Sequence, residues 1–320
     1  MPSEKKQRTV YLDLLRVLAM VGVVGIHVSA RHFADVPLDS AAWRAMNLWD
    51  GLVRWSVPVF AMVSGAVFLD PGKRITGRAI FKKYLPRIVL AFIFWSALYA
   101  AIDCGGSLRA FVTRFLCGHY HLWFLYMLAG LYLLVPVLRR ITREPRLTWY
   151  FLALSAVFTF GVPDLLLLAQ KLDGVWNLGL APIVTEIQQY VMFFFTLGFV
   201  LAPVLNARYS AALGSAQVEF FAYSKFCVLF QTAGVFAAAK AAAERLGETA
   251  RQLVIRFAAC SFGVYLVHPL LLDNLVPAGL LTCGAWTYLT IPLTIFVTAA
   301  LSLVVSVLLR LIPWLGRRIV

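Results

Sequence analysis

The segment Val10–Ala30, VYLDLLRVLAMVGVVGIHVSA, constrains the fold more than any other stretch of the chain. It is long enough to cross a bilayer, which takes about 20 apolar residues. It nevertheless carries Asp13, Arg16 and His27. A charged side chain at membrane depth costs roughly 3 kcal/mol on insertion scales, so such groups face a protein interior and act there. At about 100° per residue, Arg16 and His27 lie about 20° apart around a helix, and Asp13 falls within about 60° of both. All three therefore share one stripe. At about 1.5 Å rise per residue, Arg16 and His27 are roughly 16 Å apart along the axis. The segment thus sets an anion-binding group near one membrane face and a titratable base well inside.

The rest of the chain has the same character. Of its 320 residues, 61 % are hydrophobic and 14 % charged, against about 45–50 % and about 25 % in soluble domains. The expectation is an all-α, polytopic transmembrane helical bundle of about nine or ten spans, a single domain over residues 1–320. Apolar/polar alternation of the barrel type is absent. The net charge of +14 is read as Lys/Arg-rich cytoplasmic loops, with no nucleic-acid partner. Basic KKQR before the first segment and Val28-Ser29-Ala30 after it look like a signal peptide with its cleavage site. The charges inside the apolar run and the spans that follow argue for a retained helix. Cysteines at 104, 117, 227, 260 and 283 show no paired metal spacing, and most, lying in apolar segments, read as small core residues. A Cys104–Cys117 disulfide across an outer loop is the alternative.

Nine apolar stretches are legible. They cover Val10–Ala30, Leu48–Leu69, Ile88–Ile102, His121–Leu138, Leu147–Ala169, Gln189–Leu205, Val218–Ala239, Leu253–Val276 and Trp286–Ile312. The Lys/Arg bias puts the N-terminus in the cytoplasm, with basic inside loops at 70–87 and 139–147. The alternation holds through Leu205 and then fails: Arg310, Arg317 and Arg318 fall outside. Either a helix is missing around the short linker Asn206–Gln217, or a stretch is re-entrant, or 162–188 holds a further crossing.

The candidate site residues follow from chemistry. A neutral His27 imidazole can accept a proton near pH 7, as a general base must; the bland reading is a histidine satisfied by its neighbours. Arg16 offers a planar fork for phosphate or carboxylate; the bland reading is a salt bridge to Asp13. The Lys73–Arg87 cluster can hold phosphates or merely signal topology, and Arg87, beside Pro86, is its likeliest entrant to a site. His119, His121 and Trp123 open a span at the outer interface, as anchors or as stacking faces for a sugar. His268, before Pro269, is a second intramembrane imidazole or a helix-end hydrogen bond. Walker A, H-E-x-x-H and G-x-S-x-G motifs are absent. No metal and no bound cofactor are expected.

Arg16, ten intervening residues and His27 match the R-x10-H signature of the acyltransferase-3 family, and YLDLLRVLAMVGVVGIH resembles its first helix. Further resemblances follow in order: Phe60 to Ser64-Gly65, Phe81–Arg87, His121–Arg140 and SFGVYLVHPLLL at Ser261–Leu272. The nearest resemblance is to short members that O-acetylate surface glycans. It implies ten helices with both termini cytoplasmic, in the inner membrane. It also implies transfer of an acyl group, usually acetyl, from acyl-CoA to a glycan or glycolipid hydroxyl. His27 would match the essential histidine and Arg16 the basic residue. Asp13, Arg87, Ser64, His121, Trp123 and His268 would surround the substrates. The family helix missing between Leu205 and Val218 leaves three outcomes open: an active enzyme, one compensated by homo-oligomerisation, or a degenerate inactive member. A glycan exporter is the competing class; matched broken helices in two symmetric halves, its usual mark, are absent.

Overall fold

Pro58 decides the shape of the second span. It lacks the N–H that would reach the carbonyl of Arg54, so the helical ladder breaks there. The result is two stacked helices, α2 (Ala41–Val53) and α3 (Ser56–Phe68), following α1 (Val10–Ala30). The computed structural model describes residues 9–157, 226–313 and 316–320. Within them the remaining helices are α4 (Leu85–Asp103), α5 (Leu108–Cys117), α6 (Trp123–Ile141), α7 (Pro145–Ala156), α8 (Phe226–Arg245), α9 (Glu248–Leu275), α10 (Thr287–Leu311) and the one-turn α11 (Gly316–Ile319). A short turn, Gly77–Ala79, runs through a π-helical turn, Ile80–Tyr84, into α4.

The expected all-helical, membrane-spanning class is what the structure has. Six helical stretches among the described residues are long and apolar enough to cross a membrane: Val10–Ala30, Ala41–Phe68, Gly77–Asp103, Trp123–Ile141, Glu248–Leu275 and Gly284–Leu311. The expected spans over 158–225, and with them the question of a missing helix, lie outside the described residues.

The first segment is the centre of the bundle. Two-thirds of its apolar window (67 %) is buried, against 22 % for the span at Trp123–Ile141, so α1 is the more enclosed of the two. Met20, Val24 and Val28 pack against α2, α9 and α10 through Trp43, Met46, Val264 and Ile291. Leu12, Leu15 and Ala19 pack against α3 and α8 through Val59, Val63 and Ala239. Close approach needs small residues, as between helices in lipid generally. A Cβ added at Gly22 would stand 2.7 Å from the Ser56 Cβ, and one at Gly25 would stand 3.2 Å from Val53.

Several expected boundaries move. The second span begins at Ala41 rather than Leu48, where Ser40 caps the helix by accepting from the Trp43 N–H at 3.0 Å. Trp43, Arg44 and Asn47 lower the local hydropathy and hid those turns. The charged stretch 240–256 is helix on both sides of Leu246-Gly247: α8 runs to Arg245 and α9 starts at Glu248. The loop 103–120 contains α5, capped by Ser107 and closed by Gly118 at φ 75°. Leu108, Val112 and Leu116 are exposed on it. Ser96 Oγ and Tyr126 Oη donate to its last carbonyls, Phe115 O at 2.6 Å and Leu116 O at 2.8 Å. Cys104 and Cys117, at its two ends, are both free thiols, so they do not form the alternative disulfide.

Candidate active site

Proline inside α9 builds the site. Pro269 cannot donate to the carbonyl of Tyr265, so the ladder opens one residue after His268. Tyr99, from α4, inserts its hydroxyl into the opening. It donates to the Leu266 carbonyl at 2.9 Å and accepts from the Leu270 N–H at 3.2 Å. A group set into the i→i−4 ladder is one of the recognised causes of a helix bend. The opened turn presents His268 toward α1.

There it meets His27. The His27 Nδ1 and His268 Nε2 atoms are 2.6 Å apart. The ring planes differ by 13°, with centroids 4.8 Å apart. A nitrogen contact that short is closer than stacked rings approach face to face, so the bond runs edge to edge in a shared plane. The two residues are separated by 241 positions in the chain.

The loop before α6 supplies two more imidazoles. His119 Nδ1 and His121 Nδ1 are 3.1 Å apart, and the His121 ring lies 6.4 Å from that of His27. Tyr265 Oη donates to the His121 carbonyl and pins the loop to α9. His121 Nε2 is buried and has no hydrogen-bond partner of normal geometry among the described residues. His119 stacks on Tyr99 at 4.2 Å and 12°. Its Nε2 faces Asp103 and Asp273 at 4.0 and 3.9 Å. Burial lowers the His119 pKa below the ordinary histidine value, against the opposing pull of those two carboxylates. Burial likewise raises the Tyr120 phenol, whose ring lies 5.2 Å from His27.

Beside this cluster is a small, partly open cleft. Val23, Ile26, Val57, Phe60 and Phe124 make its apolar walls; His27, His121, Trp123 and Tyr265 supply its polar edges. Apolar walls with a few convergent polar groups are the usual make-up of a small-molecule site.

The sequence-derived candidates divide into two groups. His27, His121 and Trp123 line the cleft. His268 lies behind His27, fully buried and off the cleft lining. The others sit elsewhere. Arg16 Nη1 donates to Asp13 Oδ1 at 2.7 Å, so the local pair is formed. Ser64 Oγ donates to the Phe60 carbonyl of its own helix at 2.9 Å. Arg87 Nη2 donates to the Val320 carbonyl at 3.1 Å, and its guanidinium lies over the Phe262 ring at 5.4 Å.

Sequence reasoning missed Tyr99, Tyr120, Tyr265 and Asp273. Tyr265 had a local signal, since it stands three residues before His268 and so on the same helix face, and Tyr120 stands between the candidates His119 and His121. The buried pair Asp50–Arg54 was missed as well, although its i, i+4 spacing is visible in the sequence.

Among the described residues no group of three or more His, Cys, Asp or Glu is arranged to hold a metal ion. What the arrangement can do is bind a polar group against an imidazole that is oriented from behind. No curated protein and no solved structure matches the chain. The acyltransferase domain family, acyltransferase-3, matches residues 9–311, nearly the whole chain. This multi-pass membrane protein belongs to the acyltransferase-3 family.

Proposed function

We propose that the protein moves an acyl group, acetyl in the simplest case, from cytosolic acyl-CoA to a hydroxyl of a cell-surface or lipid-linked glycan. The observation that carries this reading is the placement of His27. It lines the cleft and is hydrogen-bonded from behind by His268. An oriented imidazole within reach of a bound hydroxyl is what general-base catalysis requires.

The step balances as follows. His27 takes the acceptor's hydroxyl proton. The oxygen attacks the thioester carbonyl carbon; a C–O bond forms and the C–S bond breaks. The thiolate leaves and takes the proton back from the imidazolium. The nucleophilic side chains among the described lining residues of the cleft are His27, His121 and Tyr265, so direct transfer and a transient acyl-enzyme both fit it. The donor phosphates would lie toward Arg16, Arg87 and the Lys73–Arg87 cluster. The pantetheine arm would then run along α1, over the roughly 16 Å between Arg16 and His27. In this reading the N-terminus is cytoplasmic and the acceptor comes from the opposite face of the inner membrane. Trp123, half-exposed at the cleft mouth, offers a sugar a stacking face.

The test is free-thiol release from acetyl-CoA by the purified protein in lipid, with extracted envelope glycans as acceptor. Release that needs both the acceptor and His27 supports the reading. Release that continues unchanged in His27→Ala contradicts it.

A further inference from the structure

We infer that His268 is a positioning residue that holds His27 in a single tautomer, with its proton on Nδ1 and its bare nitrogen, Nε2, left as the base. This deepens the acyltransfer reading and rests on it for its catalytic meaning. The geometry itself does not depend on that reading.

His268 Nδ1 lies 3.2 Å from the Val264 carbonyl oxygen. A carbonyl oxygen only accepts, so His268 Nδ1 must carry a hydrogen. A neutral imidazole carries one, so His268 Nε2 is bare and accepts. Across the 2.6 Å contact, His27 Nδ1 must then donate. Its only ring proton is therefore placed, and His27 Nε2 is left with a lone pair. The opposite assignment sets the His268 Nδ1 lone pair against the carbonyl oxygen in a fully buried position, where two facing acceptors repel without water to separate them.

His268 itself is held rigidly. Val264 and Leu266 on either side of Tyr265 are fully buried. Tyr99 bridges the broken ladder around Pro269, and Tyr265 ties the same turn to the His121 carbonyl. His268 is absent from the cleft lining, so its action on a substrate passes through His27. When His27 Nε2 takes a proton, its Nδ1–H···His268 bond becomes charge-assisted and strengthens. An interaction stronger in the transition state than in the ground state is the kind that raises kcat.

The test has two arms. The first is nitrogen NMR of the wild-type protein labelled with ¹⁵N-histidine, without substrate, with the His27 signals assigned by loss in His27→Gln. The expected result is a protonated Nδ1 and a bare Nε2 on His27. A proton on His27 Nε2 overturns the inference, whatever the enzyme's activity. The second arm compares His268→Leu with His268→Gln in acceptor-dependent thiol release. The glutamine carbonyl can still accept from His27 Nδ1–H; leucine cannot. Losing a tautomer-fixing partner costs up to about 10⁴-fold in kcat in a serine protease. His268→Leu should lose about 10²-fold or more in kcat with little change in donor KM, and His268→Gln should recover at least about tenfold of that. Equal losses in both variants overturn the positioning role.

Discussion

Tyr99 repairs the helix that Pro269 breaks. Its hydroxyl sits between the Leu266 carbonyl and the Leu270 N–H, while its ring stacks on His119. One side chain thus couples the bend that presents His268 to the loop that carries His121.

Tyr99→Phe keeps the ring and deletes the bridge. It leaves a buried donor and acceptor to find each other across the bend. Stranding a buried backbone group costs about 1–3 kcal/mol. The expected outcome is a stability loss in that range, with faster hydrogen exchange at Leu270 than at residues such as Ala258, remote from the bend. Unchanged exchange at Leu270 would show that the bridge carries no load.

The Asp50–Arg54 pair lies where α2 meets α3, with the Asp50 side chain fully buried and the Arg54 side chain 14 % exposed. Removing one member of a buried pair costs about 3–5 kcal/mol, because the other is left uncompensated. Arg54→Leu should therefore be strongly destabilised, and the double variant Asp50→Asn with Arg54→Leu should regain a large part of the loss. Thermal unfolding in detergent measures both. A double variant no better than the single one contradicts the assignment.

His121 separates binding from folding. It stands on the cleft wall with its ring 6.4 Å from that of His27, and its side chain is hydrogen-bonded to His119. His121→Leu gives up that bond, worth about 0.5–1.5 kcal/mol, and fills a similar volume. The prediction is a small shift in melting temperature beside a loss of acceptor-dependent turnover of at least about tenfold, the scale of one lost polar contact to a bound group. Turnover that falls no further than the folded fraction would remove His121 from the acceptor site.

How much of this was legible beforehand follows from where the information lies in the chain. Asp13, Arg16 and His27 interrupt one apolar run, so their shared stripe could be read from helical period alone, and the Asp13–Arg16 pair is local. The partner of His27 could not be read this way, because His268 is 241 positions away. The sequence offered it only as an imidazole beside a proline, with a helix-end hydrogen bond as the favoured reading. In the structure the ring lies inside the helix and meets both the Val264 carbonyl and His27. Tyr99 carries no local mark at all, because its role exists only once α4 lies against the bend in α9. Helix α5 was hidden for a different reason. Arg109 and Arg114 keep its hydropathy below that of a span, so a search for apolar runs passes over an amphipathic helix.

The most direct measurement of the central claim is mass spectrometry of the acceptor after incubation with isotopically labelled acetyl-CoA. It should compare wild-type protein with His27→Ala, both shown to be folded by the same melting curve. The account predicts labelled acetyl ester on the glycan with wild type and none above background with His27→Ala. Labelled ester formed equally by both proteins would contradict it.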